Sequence, residues 1–467
     1  MPASRYFAEH AWLPQGFAKH VQLDVDLDRH VLCAVVAESQ RDDAQLIGRY
    51  VVPGMPNLHS HAFQRAMAGL AERRGKSSDD SFWTWREVMY AFAGSIGPDD
   101  LRAIATQLYV EMLKAGYTQV CEFHYLHHQP DGQPYADPAE MSLALIEAAR
   151  DAGIGLTLLP TLYMTGGFDG RALSERQRRF GHDVDAYLRL VERLRTLQSS
   201  TLNIGMALHS LRAVPADALR VVLATDLAHG GPIHIHIAEQ LGEVQDCLAL
   251  RHARPVEWLL DHAAVDSRWC LVHATHMTEA ETRRLAKSGA VAGLCPTTEA
   301  NLGDGLFPLK EYLDAGGAIG IGSDSNVSVS VVEELRWLEY GQRLMTKHRN
   351  VAASANTSST GDMLLAYALA GGARAAGCSV GKLAGGDSAH LQLAPRADLV
   401  VLDDASPLLG ARAPSHVIDT WLFAGNTSLV RDVMVAGEWI VRDSRHRDEA
   451  RVATCYRDVV ERLARGG

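Results

Sequence analysis

The chain has 467 residues, of which 47% are hydrophobic and 22% are charged, and its formal net charge is −11. This length and composition are typical of a globular protein with one large domain and a smaller one. The negative charge argues against a nucleic-acid binder, which normally presents a basic face, although a few local arginines can still hold an anionic substrate.

The cysteines and the N-terminus bear on the cellular compartment. Seven dispersed cysteines include no Cys-X-X-Cys pair, and such an odd set indicates reduced thiols rather than a disulfide framework. The N-terminal segment MPASRYFAEHAWLP lacks the basic and apolar stretches of a signal peptide. No apolar run approaches the roughly 20 residues that span a bilayer. We therefore expect a cytoplasmic protein that does not contact membranes.

Short apolar runs alternate with amphipathic stretches through residues 51–385. Each run is typical of a strand buried on both faces, and stretches such as DLRAIATQLYVEMLKAGY and PAEMSLALIEAARDAG have helical periodicity. Strands that alternate with helices form a parallel sheet, and eight such units predict a closed (β/α)₈ TIM barrel. The eight runs are RYVVPGMPNLHSH, TQVCEFHY, IGLTLLPTLY, LNIGMALHS, GPIHIHIAE, WCLVHATHM, AVAGLCP and GAIGIGSDS.

The two chain ends, residues 1–50 and 386–467, have a different pattern. Segments such as HVQLDVDLD and RHVLCAVVAE near the start, and HLQLAPRADLVVLD and VRDVMVAGEWIVRD near the end, alternate as strands do. We predict that both ends form one small β-sandwich domain with the barrel inserted between its halves. A helix over DEARVATCYRDVVERLARG closes the chain.

Histidines lie at the ends of several runs. His59 and His61 end the first run, and residues two apart on a strand point to the same face. In a barrel that face is the interior, where two neutral imidazoles can hold one divalent metal ion. An isolated His-X-His could equally be a pair of core histidines.

A second His-X-His lies in the fifth run. His234 and His236 share a face, and Glu239 follows just beyond the strand. A carboxylate there can take a proton from an activated water and pass it to a leaving group. Alone the segment could be a buried polar patch, but two such elements in one barrel favour a metal site.

His273 and Asp324 end the sixth and eighth runs. His273 could polarise a substrate or stabilise developing charge. Asp324 could serve as an acidic ligand or a base, although an Asp before a polar loop is often only a helix N-cap. Because the C-terminal ends of barrel strands converge, we expect both side chains near the histidine pairs.

The order of these residues, and the strands that they follow, resemble the pattern of the amidohydrolase superfamily. The resemblance covers nearly the whole chain. It implies one divalent ion, Zn²⁺, and three catalytic residues that orient the attacking water and shuttle its proton. Two-metal members usually bridge their ions with a carboxylated lysine at strand four, and NIGMALHS contains no lysine. The implied metal ligands are His59, His61, His236 and Asp324, and the implied catalytic residues are Glu239, His273 and Asp324.

Within the superfamily the chain is most similar to the formimidoylglutamate deiminases of histidine degradation. Four segments support this narrower resemblance: HSHAFQRAMAG, SFWTWREVMY, EFHYLHH and ALHSLRAV. The resemblance implies hydrolysis of N-formimino-L-glutamate to N-formyl-L-glutamate and ammonia.

A dianionic substrate requires fixed cationic donors. Arg86 and Arg212 are expected in loops beyond strand ends one and four, and a guanidinium can hold a carboxylate with two parallel hydrogen bonds. Either arginine could instead be a solvated surface charge. Gln64, Tyr125 and His209 are expected as further substrate-binding donors.

Two other functions compete with this interpretation. A related deaminase of guanine or an adenosine derivative would need an aromatic-walled pocket without paired arginines. A non-catalytic barrel that serves as a scaffold would be expected to have lost metal ligands, whereas every expected ligand position is filled. We expect a homodimer, as many related enzymes are dimers.

Overall fold

The computed structural model describes residues 4–72, 82–354, 357–385 and 394–466. Two separate sheets organise this part of the chain, one from its middle and one from its two ends. The predicted combination of a barrel with a small β-domain is therefore confirmed. Among the described helices, none combines the length and the apolar character that crossing a membrane demands.

The strands are numbered in chain order. The N-terminal part contains β1 (Ser4–Leu13), β2 (Gly16–Asp26), β3 (Val31–Val36) and β4 (Gln45–Pro53). The middle contains β5 (Met55–Ser60), β6 (Tyr117–His124), β7 (Gly155–Leu162), β8 (Leu202–Ile204), β9 (Met206–Ser210), β10 (Ile233–Ile237), β11 (Trp269–His273), β12 (Val291–Leu294) and β13 (Ala318–Ile321). The C-terminal part contains β14 (Leu399–Leu402), β15 (Val430–Val435), β16 (Glu438–Arg442) and β17 (Arg445–His446).

Strands β5 to β13 form the barrel. Each pairs in parallel with its neighbour in the order β5-β6-β7-β9-β10-β11-β12-β13, and β8 pairs with β7. The barrel closes just beyond β13, where the Asp324 amide donates to the His59 carbonyl at 2.9 Å and the His61 amide donates to the Asp324 carbonyl at 3.0 Å. The closure thus brings the histidine-bearing end of β5 next to Asp324, the acidic residue that follows β13.

Helices connect the strands and cover the barrel. The predicted helices over DLRAIATQLYVEMLKAGY, PAEMSLALIEAARDAG and the C-terminal segment are α2, α3 and α14. The helices are α1 (Phe82–Ala93), α2 (Pro98–Lys114), α3 (Glu140–Ala152), α4 (Val184–Arg195), α5 (Ala216–Leu223), α6 (Leu241–Arg251), α7 (Pro255–His262), α8 (Glu279–Ser288), α9 (Pro296–Leu302), α10 (Leu309–Asp314), α11 (Val331–Thr346), α12 (Thr360–Ala376), α13 (Val417–Phe423) and α14 (Glu449–Gly466).

The chain ends form one continuous sheet in the order β17-β16-β15-β14-β4-β1-β2-β3. Only β1 and β4 pair in parallel, and the other neighbours are antiparallel. Alternate residues of its central strands face two cores, as the two-residue period of a strand requires. Val51 and Val401 pack in a small core of this domain, whereas Val52 and Val400 pack against the barrel.

The run RYVVPGMPNLHSH, predicted as one barrel strand, contains two strands. β4 extends to Pro53 in the small sheet, and β5 begins the barrel at Met55. Between them, Gly54 lies so close to Thr118 that a Cβ atom there would be 2.2 Å from the threonine Oγ1. We propose the domain boundary at Gly54 rather than after residue 50. The other expected boundary, after residue 385, borders residues 386–393, which lie outside the described part of the chain.

Candidate active site

Four of the predicted side chains meet at the C-terminal end of the barrel. The Nε2 atom of His236 lies 3.0 Å from Nε2 of His59 and 3.3 Å from Nε2 of His61. The Oδ1 atom of Asp324 lies 3.2 Å from Nε2 of His59 and 3.3 Å from Nε2 of His61. These potential ligand atoms all lie within 4.8 Å of one another, and all four residues are buried.

Hydrogen bonds at the other ring nitrogens define the chemistry of this cluster. The Nδ1 atom of His61 lies 2.9 Å from the Phe123 carbonyl oxygen, and Nδ1 of His236 lies 2.9 Å from the His209 carbonyl oxygen. A carbonyl can only accept, so each Nδ1 carries the proton and each Nε2 presents a lone pair. Two such lone pairs facing each other at 3.3 Å need a cation between them, so the donor set fits a divalent metal ion.

The ionisation of the four residues is consistent with metal ligation. Burial lowers the pKa of His59 to about 3 and also lowers the pKa of His61 and His236. For Asp324, burial opposes ionisation, but the hydrogen bond from His59 and the nearby imidazoles outweigh it and hold its pKa below the usual range. Three neutral imidazoles and one carboxylate are a common donor set for Zn²⁺.

Glu239 and His273 stand beside the cluster. The Nε2 atom of His273 lies 3.8 Å from Oε1 of Glu239 and 4.0 Å from Oδ2 of Asp324. Burial raises the pKa of Glu239 to about 7, with His273 acting in the opposite direction. For His273, burial would lower the pKa, but Glu239, Glu299 and Asp324 raise it to about 10. The pair therefore combines a carboxyl that can exchange protons near neutrality with a protonated imidazole.

The backbone at three of these strand ends adopts the left-handed region. The φ angles are 51° at Ala238, 68° at His273 and 45° at Asp324. Such angles are unfavourable for residues other than glycine and persist where surrounding contacts hold them, often at functional sites. The strained turns direct the side chains of Glu239, His273 and Asp324 toward a common space.

Two buried glutamates hold these turns and were missed from the sequence. Glu243 accepts hydrogen bonds at 3.1 Å from the amides of both Ala238 and Glu239. Glu299 lies 3.3 Å from Nδ1 of His273 and accepts from the Cys295 amide. Both lie in the first turn of a helix, where acidic residues are common for electrostatic reasons, so the sequence offered no distinguishing sign.

The space in front of the cluster is a pocket with aromatic walls and two arginines. Arg212 follows β9 as predicted. Arg86 lies on helix α1, so the prediction that it lies in a loop is wrong. Gln64 donates to the Tyr125 hydroxyl at 3.0 Å, and the His209 ring packs against Tyr163. All five expected substrate-binding residues line the pocket. Its other lining residues include Trp85, Met89, Tyr90, Tyr163, Phe180, Glu239 and Glu243.

His234 shares strand β10 with His236 but does not reach the cluster. Its Nε2 atom lies 2.8 Å from the Ala375 carbonyl oxygen, in the last turn of α12. Two residues along a strand correspond to about 6 to 7 Å, which is enough to place the two imidazoles at different levels of the barrel. His234 thus satisfies a helix terminus, whereas His236 joins the candidate metal centre.

Comparison with known proteins confirms the resemblance. Residues 50–440 match the amidohydrolase family. The chain is 53% identical to formimidoylglutamate deiminase of Pseudomonas aeruginosa over 464 residues, 98% of this chain and 99% of that relative. It is 29% identical to 5-methylthioadenosine/S-adenosylhomocysteine deaminase of Natronomonas pharaonis over 401 residues, 85% of this chain and 82% of that relative. The crystal structure of an amidohydrolase from Brucella melitensis has a TM-score of 0.91 and 46% identity, covering 98% of this chain and 99% of that one.

Proposed function

The chain belongs to the amidohydrolase family, and from that premise we propose that it is a metal-dependent deaminase of N-formimino-L-glutamate. The reaction converts the formimino group and water into a formyl group and ammonia. The observation that carries the proposal is the placement of two arginines, Arg86 and Arg212, in the same pocket as the histidine and carboxylate cluster. Guanidinium groups that share a pocket with a hydrolytic centre match a substrate that carries carboxylates away from its reacting carbon.

We assign the metal site to His59, His61, His236 and Asp324. When bound there, a single divalent ion, Zn²⁺, supplies the Lewis acidity that makes water nucleophilic near neutral pH. Strands β8 and β9 contain no lysine that could bridge a second metal ion, which supports a site with a single ion.

The remaining steps are performed by side chains of the pocket. Glu239 accepts the proton of the attacking water as the oxygen bonds to the formimino carbon. The same carboxyl passes this proton to the formimino nitrogen and then transfers the remaining hydroxyl proton to it as well, so that the C=O bond forms, the carbon–nitrogen bond breaks, and ammonia leaves. His273, positioned between Glu239 and Asp324, stabilises both carboxylates and orients the water.

Gln64 can hold the substrate close to this centre. Its Oε1 atom is buried and has no hydrogen-bond partner among the described residues, while its amide nitrogen donates to Tyr125. A buried acceptor without a partner is costly, so a substrate N–H group is a favourable occupant. His209, which burial keeps neutral by lowering its pKa well below the usual value, adds a further polar contact in the pocket.

The proposed reaction is tested by ammonia release from N-formimino-L-glutamate, measured beside a panel of purines and adenosine derivatives. We expect ammonia and N-formyl-L-glutamate in equal amounts from the first substrate alone. Aromatic walls would suit a purine, but two arginines in the pocket disfavour a neutral base. Faster deamination of a purine would replace our proposal with the related deaminase, and the absence of any turnover would favour a scaffold.

The carboxylate-binding role of Arg212 gives a selective prediction. Replacing Arg212 by alanine should raise KM for N-formimino-L-glutamate about 10- to 100-fold, because a hydrogen-bonded charge pair is lost. KM for a simple amidine without carboxylates should change little. The measurement is steady-state kinetics on both substrates, with Arg220→Ala on the exposed side of α5 as the control. Equal changes for both substrates would refute the carboxylate-binding role.

Activity should follow a bell-shaped pH profile. The proton acceptor must be ionised, and burial raises the pKa of Glu239 to about 7, so kcat/KM should fall as pH drops through that value. His273, whose pKa is about 10, loses its proton as pH rises through that value, so activity should fall again there. His273→Asn should remove the alkaline limb and, because His273 lowers the pKa of Glu239, move the acidic limb to higher pH. A wild-type profile that stays level well below about pH 6 would exclude Glu239 as the titrating base.

The proposal retains the expected homodimer and cytoplasmic location. Support for a homodimer comes from α11, where the apolar side chains of Trp337, Leu344 and Met345 are exposed. Apolar side chains clustered on one surface often mark a contact between proteins. All seven cysteines are free thiols, which suits a reducing compartment.

A further inference from the structure

Gln177 is a buried polar residue behind the arginine side of the pocket. It lies in the 3₁₀ helix Glu175–Phe180, and its Oε1 atom accepts a hydrogen bond from the Ser174 amide at 3.0 Å. Because a backbone amide can only donate, this contact fixes which end of the Gln177 side chain carries the NH₂ group. That group points to two tyrosines, at 3.2 Å from the Tyr90 hydroxyl and 2.9 Å from the Tyr163 hydroxyl.

Both tyrosines line the pocket beside the arginines. Tyr90 lies four residues after Arg86 on α1, a spacing that places them on one helix face, and the Arg86 guanidinium carbon is 5.4 Å from the Tyr90 ring centroid. Tyr163 follows β7 and packs against His209 with ring centroids 4.4 Å apart. Arg212 interacts electrostatically with both tyrosines.

The direction of these hydrogen bonds determines what the tyrosines can offer a ligand. Each phenol oxygen accepts an N–H of Gln177, so neither phenol proton is donated to Gln177. Tyr90 and Tyr163 also share a hydrogen bond, which uses the proton of one phenol, and no carboxylate or carbonyl group within the described residues accepts the proton of the other. The surrounding arginine groups are donors only. The arginines and the tyrosine pair therefore present several donors on one side of the pocket, a combination that suits a carboxylate.

We propose that Tyr90 and Tyr163 are specificity-determining residues that form a hydrogen-bonded pair and donate its free phenol proton to the substrate carboxylate bound by the arginines. In the same proposal Gln177 is a positioning residue that keeps this free proton directed toward that carboxylate. The inference rests on the proposed function and extends it, since the subsite selects a carboxylate over its carboxamide. An amide NH₂ group would place a donor against guanidinium and phenol donors, which costs binding energy.

Two substitutions test the direction of the hydrogen bonds. Tyr163→Phe removes one donated proton and leaves the ring packing on His209. Gln177→Glu keeps an acceptor for the Ser174 amide but replaces the NH₂ donor with a carboxylate oxygen, which would accept from both tyrosines. The phenol protons would then turn away from the substrate. Tyr312→Phe is the matched control, because its buried hydroxyl bonds the Ala290 carbonyl outside the pocket.

The measurements are steady-state kinetics with N-formimino-L-glutamate and calorimetric binding of glutarate, a dicarboxylate without a formimino group. We expect each pocket variant to raise KM and the glutarate Kd about tenfold or more, with kcat nearly unchanged and the carboxylate-free amidine unaffected. The control should match the wild type.

Two results would overturn the inference: wild-type glutarate affinity in both pocket variants, or equal losses of turnover on both substrates. Glutarate binding separates the inference from the proposed function. If the wild type binds glutarate through these tyrosines but releases no ammonia from N-formimino-L-glutamate, only the proposed reaction fails. If it deaminates that substrate and the variants bind glutarate normally, only the tyrosine subsite fails.

Discussion

His236→Ala is expected to reduce bound metal from about one equivalent per chain to nearly none, and to abolish activity with it. The Nε2 atom of His236 lies 3.0 Å from that of His59 and 3.3 Å from that of His61, so the substitution removes one of the three imidazole ligands. Two imidazoles and one carboxylate remain, a set that binds a divalent ion much more weakly. The measurement is elemental analysis of the purified variant after dialysis against metal-free buffer.

His234→Ala is the matched control for this experiment. Both histidines are buried on β10, but His234 bonds the Ala375 carbonyl at the end of α12. Its loss leaves that carbonyl without a partner, which costs about 1–3 kcal/mol of folding stability, and should leave the metal content unchanged. A full equivalent of metal in His236→Ala, or equal loss of metal in both variants, would show that the ligand assignment is incorrect.

Glu239→Gln should lower kcat by roughly 10²- to 10⁴-fold while the protein retains its metal and its affinity for substrate. The amide has nearly the same shape but can neither accept the proton of water nor return it to the departing nitrogen. Glu239 does not belong to the cluster of four ligand atoms, so metal content should stay at one equivalent. Single-turnover kinetics with N-formimino-L-glutamate, together with metal analysis, separate the proton-transfer step from binding.

The surface variant Glu311→Gln in α10 controls for the change of charge, since that side chain is exposed. Near-normal turnover in Glu239→Gln would remove Glu239 from the proton-transfer role. Loss of metal together with activity would instead make it a ligand or a structural support for the ligands.

The metal cluster could be anticipated because its geometry follows from local rules. Residues that lie two positions apart on a strand point to the same face, and the strands of a barrel end at one rim. If the runs are barrel strands, His59, His61 and His236 must therefore converge. Asp324 was placed by the same rule, although it lies three residues beyond β13 and reaches the cluster through a left-handed turn. The strand ends were therefore predictable, and the turns that aim the side chains were not.

Other features depend on contacts between distant segments, and such contacts cannot be predicted from a single sequence. The division of RYVVPGMPNLHSH at Gly54 was hidden because both halves are buried apolar runs, and only the approach of Thr118 explains the break. Glu243 and Glu299 resemble ordinary helix-start acids, and Gln177 resembles a loop residue. For Glu299 and Gln177 the decisive partners, His273 and Tyr90, lie 26 and 87 residues away in the chain.

The most direct test of the central claim is the X-ray absorption spectrum of the Zn²⁺-loaded protein. If His59, His61, His236 and Asp324 hold the ion, the spectrum should show three imidazoles and oxygen donors at roughly 2.0–2.2 Å. His273, Cys295 and Asp324 form the other group of potential ligands within the described residues. A sulfur shell at roughly 2.3 Å, with fewer than three imidazoles, would place the metal there and contradict the account.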